Sequence, residues 1–212
     1  MSVTSISAPK LLAAAAIAVV GLSLAGTSVY AGLTAVATNT TPETASSGTL
    51  SLVMANNGVG FSSTVANLAP GDVVNRYVDL TQGTTLDGQA LTLAVTDTTP
   101  TKLTTDATNG LHVTVTSCSA AWVPSTGVCG GTTTALLSNA ALQAIPVATP
   151  GTLIAGVVTK ATIQHLQVSV VLPNQTEVTT NGVTPGGTIQ GLAASLTWQF
   201  TEAQRTATTS NS

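Results

Sequence analysis

Hydrophobic and polar positions alternate in short runs along most of this chain, and the runs are separated by Gly, Pro and Asn. Residues 48–55 place Leu50, Leu52 and Met54 on one face and Thr49, Ser51 and Val53 on the other. A period of two is the signature of a half-buried strand. The same pattern predicts strands at 59–65, at 73–80 with Val74, Val78 and Leu80 inward, and at 90–96 with Leu91, Leu93 and Val95 inward. Arg76 shares the inward parity of its strand, which places it near a sheet edge. Further strands are expected at 111–118 (Leu111, Val113, Val115), at 161–172 (Leu166, Val168, Val170, Leu172) and at 191–202 (Ala194, Leu196, Trp198, Phe200). Asn56-Asn57-Gly58, Pro70-Gly71-Asp72, Leu86-Asp87-Gly88, Asn181-Gly182 and Pro185-Gly186-Gly187 mark turns between them. Pro fixes φ near −65° and Gly tolerates positive φ, so both suit tight turns.

Residues 132–159 break the alternation. Within them, 135–144 is rich in Ala and Leu and is followed by Pro146, which predicts one short helix. Seven or eight alternating strands indicate an all-β domain of two antiparallel sheets packed face to face.

The first residues read differently. Lys10 precedes an apolar run over 11–26, and Val29-Tyr30-Ala31 then offers small residues before a cut between Ala31 and Gly32. That order is a secretory signal. The run is somewhat short for a transmembrane anchor, which needs about 20 residues. The expected organisation is a signal peptide at 1–31, a flexible Thr/Ala/Asn-rich arm at 32–47, a β-sandwich domain at 48–204 and a polar tail at 205–212.

Composition narrows the function. Of 212 residues only 6% are charged, five Lys/Arg against eight Asp/Glu, where about 25% is usual. Without basic clusters, electrostatic binding of nucleic acid is excluded. A hydrophobic content of 43% excludes a disordered chain. About one residue in five is Thr, which favours strands over helices.

Chemistry-bearing residues are few. Cys118 and Cys129 most simply form one disulfide in an exported chain. By count they could instead join His112 and His165 in a metal set, although the spacing matches no finger pattern. Trp122, between the cysteines, is read either as a cover for the disulfide or a sheet end, or as a partner contact. His112 and His165 sit at strand positions with polar neighbours and read as half-exposed. Asp72, Asp79, Asp87, Asp97, Asp106 and Glu177 do not group as in a calcium loop. Asp72 and Asp87 read as turn residues, and Asp97 is a weak calcium candidate. No zinc-protease helix motif and no nucleophile elbow is present. No catalytic residue, resident metal or cofactor is expected.

Several segments in order resemble the TasA/camelysin family. They are the short export signal, Ser47-Gly48-Thr49-Leu50-Ser51-Leu52, Asn67-Leu68-Ala69-Pro70-Gly71-Asp72, the turn at 83–86, Ile189-Gln190-Gly191, and Leu196-Thr197-Trp198-Gln199-Phe200-Thr201-Glu202-Ala203. The Cys-loop variant looks like an actinobacterial branch. The resemblance implies a jelly-roll β-sandwich, export by a SipW-type signal peptidase, and a secreted or cell-surface biofilm-matrix protein that self-assembles into fibres. In that family the N-terminal arm of one subunit inserts as a strand into the next. This maps onto 32–47, where Leu33, Ala35, Val36 and Ala37 supply the apolar content. A cell-wall or matrix polymer is a further candidate partner. Camelysin itself implies the alternative, a surface metalloendopeptidase.

Overall fold

The computed structural model describes residues 46–61, 67–179 and 181–209. The signal segment with Ala31 and Gly32, and the arm residues Leu33, Ala35, Val36 and Ala37, lie outside them. The sheets belong to the unit Ser47–Ser212. In chain order the strands are β1 (Leu52–Asn57), β2 (Val73–Gln82), β3 (Gly88–Asp97), β4 (His112–Cys118), β5 (Trp122–Val123), β6 (Val128–Cys129), β7 (Thr133–Ala141), β8 (Gly151–Val158), β9 (Ile163–Val171) and β10 (Leu196–Gln204). One short helix, α1 (Lys102–Thr105), follows β3.

Two antiparallel sheets share one core. The larger has the order β1-β2-β9-β4-β7, the smaller β10-β3-β8, and β5 and β6 form a separate small hairpin. Their inner faces follow from the alternation. Val78 and Leu80 of β2, Val113 and Val115 of β4, and Leu166 and Val168 of β9 are fully buried against Leu91 and Leu93 of β3. The register stacks them across strands, with Val78 opposite Leu166 and Val168 opposite Val115. Burying each such side chain stabilises the fold by about 1.5–3 kcal/mol. This is the all-β sandwich that the periodicity indicates.

Three local expectations are corrected. Residues 135–144 are not a helix: β7 pairs with β4 along most of this segment, and a 3₁₀ turn covers only Leu142–Ala144. Helix propensity for Ala and Leu is a weak preference, and the ladder offered by the edge of β4 outweighs it. The short helix lies instead at α1, where Thr101 and Thr104 make a reciprocal capping box. Of the strand expected at 59–65, residues 58–61 form a turn, with Gly58 at φ +89° and Gly60 at φ +69°, and the rest lies outside the described residues. β8 occupies part of the stretch where the pattern predicts no strand. Arg76 pairs with Val168 on β9 just beyond the reach of β1, whose ladder stops at Tyr77, as its edge-proximal parity suggests.

Leu93 is fully buried at the centre of β3. Leu93→Ala is expected to cost about 2–5 kcal/mol in urea unfolding. A loss below about 1 kcal/mol would show that the two inner faces do not meet there.

Candidate assembly edge

The smaller sheet is two strands narrower than the larger. Strands β7 and β8 approach each other on one side of the sandwich, which leaves β1 and β10 as edges on the other. Strand β10 pairs with β3 along one edge, and among the described residues no strand pairs with its other edge. An unpaired edge presents a row of N–H and C=O groups able to bind another strand. Natural edges are commonly protected by charge, yet Leu196 to Thr201 carry none.

The face of β10 toward the core is aromatic. Leu196, Trp198 and Phe200 are half-buried against the core, while Thr197, Gln199 and Thr201 are exposed. Phe61, from the turn after β1, stacks on Trp198 with ring centroids 4.9 Å apart and lies 6.4 Å from Phe200. Opposite, β1 is exposed along most of its length, with Val53 57% and Met54 46% accessible. The apolar interior is therefore least covered where the two edges lie.

Carboxylates stand at both ends of β10. At its start, Asp97 accepts hydrogen bonds from Ser195 N at 3.1 Å, Thr99 N at 3.1 Å and Thr104 Oγ1 at 2.8 Å. Burial pushes this carboxyl up, but the bonds from Thr104, Thr99 and Ser195 outweigh burial and hold it below the usual carboxylate range. Asp97 thus fastens the entry of β10 to the loop before α1, and its oxygens already have protein donors. At the far end Glu202 sits in a bulge, where the register shifts between Thr201 and Ala203. Burial pushes the Glu202 carboxyl up, partly offset by the Gln82 side chain.

The cysteine loop lies on the outer face of the larger sheet. Cys118 and Cys129 are joined by a disulfide. It closes the β5–β6 hairpin over Tyr77, and Trp122 packs at 5.7 Å from the Tyr77 ring. Trp122 is only 6% exposed; its Nε1 donates to His165 O at 3.2 Å and its carbonyl accepts from Asn57 Nδ2 at 3.1 Å. As a candidate partner contact Trp122 has no exposed indole to offer, because the ring is spent covering the sheet.

The remaining candidates are dispersed. His165 Nδ1 lies 2.7 Å from Asp79 Oδ1, part of a cross-strand ladder with Gln167–Tyr77 and Ser169–Asn75. His112 Nε2 lies 2.9 Å from Ala107 O. Asp72 closes its turn by accepting from Ala69 N, Asp87 accepts from Lys160 N, and Glu177 accepts from Ile189 N. Asp106 accepts from Asn109 N and Thr108 N, which lower its pKa.

Sequence reasoning passes over Phe61, Gln82 and Glu202. A signal for two of them exists: Gln82 shares the parity of Val78 and Leu80, and Glu202 that of Trp198 and Phe200. A polar residue at the end of an apolar face marks a buried polar contact. Phe61 has no such signal, since turn geometry alone carries it to β10.

A family model described as camelysin metallo-endopeptidase matches residues 8–209. No curated protein matches the chain. The family description implies a catalytic metal, and such centres ordinarily take three protein ligands. The described residues do not fit one. Among them no group of three or more His, Cys, Asp or Glu comes together. On the β4–β9 ladder His165 stands opposite Cys118, whereas His112 stands opposite Val171. Six residue steps separate these positions, about 20 Å at strand spacing. Both cysteines are consumed by the disulfide.

Three outcomes follow for stability. Trp122→Ala is expected to cost about 3–5 kcal/mol, and reduction of the disulfide about 3 kcal/mol, both read from urea midpoints. The Asp97 contribution is present above its unfolded pKa and is lost as pH falls through its lowered folded value. Asp97→Asn should therefore be less stable than wild type at neutral pH, with the difference vanishing in acid. A constant difference across pH would exclude an ionic role.

Proposed function

The chain belongs to the camelysin family, and we propose that it is a structural subunit of an extracellular fibre, joined by insertion of the arm 32–47 of one copy along β10 of the next. The observation that carries this reading is the β10 edge, which no strand among the described residues pairs and which carries no charge over Leu196–Thr201, with its half-buried Trp198 and Phe200. Strand addition satisfies edge N–H and C=O groups and supplies side chains to pockets beside them. The sixteen residues of 32–47 can extend to about 50 Å, more than the roughly 30 Å of a nine-residue strand. Leu33, Ala35 and Ala37 alternate, so they would face the aromatic row together, with Val36 on the opposite face. A head-to-tail contact of this kind does not close on itself and propagates as a filament.

The setting is consistent with the family, which is one of extracellular or surface proteins. Among the described residues no helix is long and apolar enough to cross a membrane. In this reading the protein is not a peptidase. The family description keeps that alternative open to a direct assay: stoichiometric bound metal together with chelator-sensitive cleavage of casein would establish it.

Electron microscopy of the chain from Gly32 onward, with and without 32–47, tests the assembly. Long filaments are expected only with the arm. Equally long filaments from the truncated chain would refute arm insertion. Thr197→Lys with Gln199→Lys places two charges on exposed positions of β10 and should suppress filaments while the urea midpoint stays within about 0.5 kcal/mol of wild type.

A further inference from the structure

The open side of the sandwich carries a cover of the chain's own making. Phe61 leaves the turn after β1 and packs against the shared core beside Trp198 and Phe200. Its ring stacks on Trp198 at 4.9 Å with the planes 15° apart, and it stands 6.4 Å from Phe200. Trp198 and Phe200 are alternate residues on one face of β10, so a single ring spans both. The turn that carries Phe61 is held from the opposite side. Asn57 Nδ2 donates to Trp122 O at 3.1 Å, and a Cβ on Gly58 would meet Pro124 of the disulfide hairpin at 3.0 Å. Gly58 and Gly60 both take positive φ, +89° and +69°, and a Cβ on Gly60 would collide with the Asn56 side chain. Among the described residues no hydrogen bond joins 58–61 to β10. Phe61 therefore sits on β10 by ring contact, at the end of a turn whose two glycines permit backbone rotations that other residues resist.

We propose that Phe61 is a plug on the assembly edge: in the lone subunit it holds the place of an inward side chain of the incoming arm, and it must swing off Trp198 before the arm can seat. The plug rests on the assembly reading and adds a gate to it. A strand added to β10 would run about 4.8 Å from it. Its inward side chains would stand about 4.5–5.5 Å from those of Trp198 and Phe200. The Phe61 ring already lies at that distance from Trp198, in the same apolar layer. Of the arm residues that share one parity, Leu33, Ala35 and Ala37, only Leu33 approaches the ring in bulk. Ring and arm side chain compete for one space. A stacked aromatic pair is worth about two- to tenfold in an equilibrium constant beyond its burial. That keeps an uncharged edge covered in a free subunit, yet yields to a strand that brings a row of main-chain hydrogen bonds. A site that is open for only a fraction of the time binds with its affinity reduced by that fraction.

The test compares wild type, Phe61→Ala and Phe61→Leu in the chain from Gly32 onward. The first readout is acrylamide quenching of tryptophan fluorescence in dilute, unassembled protein. Of the two tryptophans Trp122 is 6% exposed, so a change in quenching reports on Trp198. Phe61→Ala should raise the quenching constant, with Phe61→Leu, which keeps apolar bulk but loses the stack, between it and wild type. Unchanged quenching in both variants overturns the plug whether or not filaments form. The second readout is elongation from wild-type filament seeds, which should be about two- to tenfold faster for Phe61→Ala at equal concentration. Equal or slower elongation also overturns the plug, because the ring would then belong to the docked interface. Filaments from none of the three proteins refute arm insertion instead, and quenching then decides on its own whether Phe61 covers the edge.

Discussion

The structure turns on a mismatch between its two sheets: among the described residues five strands face three across one apolar core. Burial of Leu80, Leu93, Leu166 and Val168 requires the sheets to pack face to face. The smaller sheet cannot cover all that the larger one presents. The deficit falls on one side, where β10 ends the small sheet and β1 ends the large one. There the aromatic residues Trp198 and Phe200 stay half-buried, and Phe61 leans over them. Most of the distinctive chemistry can be read as a response to that open side. Asp97 secures the entry of β10, and a bulge at Glu202 marks its exit. The disulfide hairpin does a separate job, closing the outer face of the larger sheet through Trp122.

Charge scarcity acquires a structural meaning in this frame. A chain with 6% charged residues has few means of protecting a strand edge. Its carboxylates are occupied with turns and loop contacts: Asp72 with Ala69, Asp97 with Ser195, Asp106 with Asn109. None stands between Leu196 and Thr201. An edge without gatekeepers is a hazard in a monomer and an asset in a subunit meant to be joined.

The alternating faces of β2, β3, β4 and β9 were legible in the sequence because one face of each is buried and period two survives intact. Strand β7 was not, because its Ala and Leu composition reads as helix until β4 is placed beside it. β8 was hidden for a related reason: Gly151, Gly156 and a mixed burial pattern blur the period. The candidate site was half legible. The Trp198 and Phe200 row follows from parity, but the openness of its edge is a property of sheet order, which no local window contains. Pairings such as Asp79 with His165, 86 residues apart, join distant segments and become visible only when β2 and β9 are in register.

Amide hydrogen exchange on β10, compared between monomer and assembled protein, tests the central claim most directly. If an incoming strand completes the small sheet, amides across Leu196–Gln204 gain protection on assembly by several orders of magnitude. Assembly that leaves β10 exchange unchanged, or that protects β1 alone, would contradict the account.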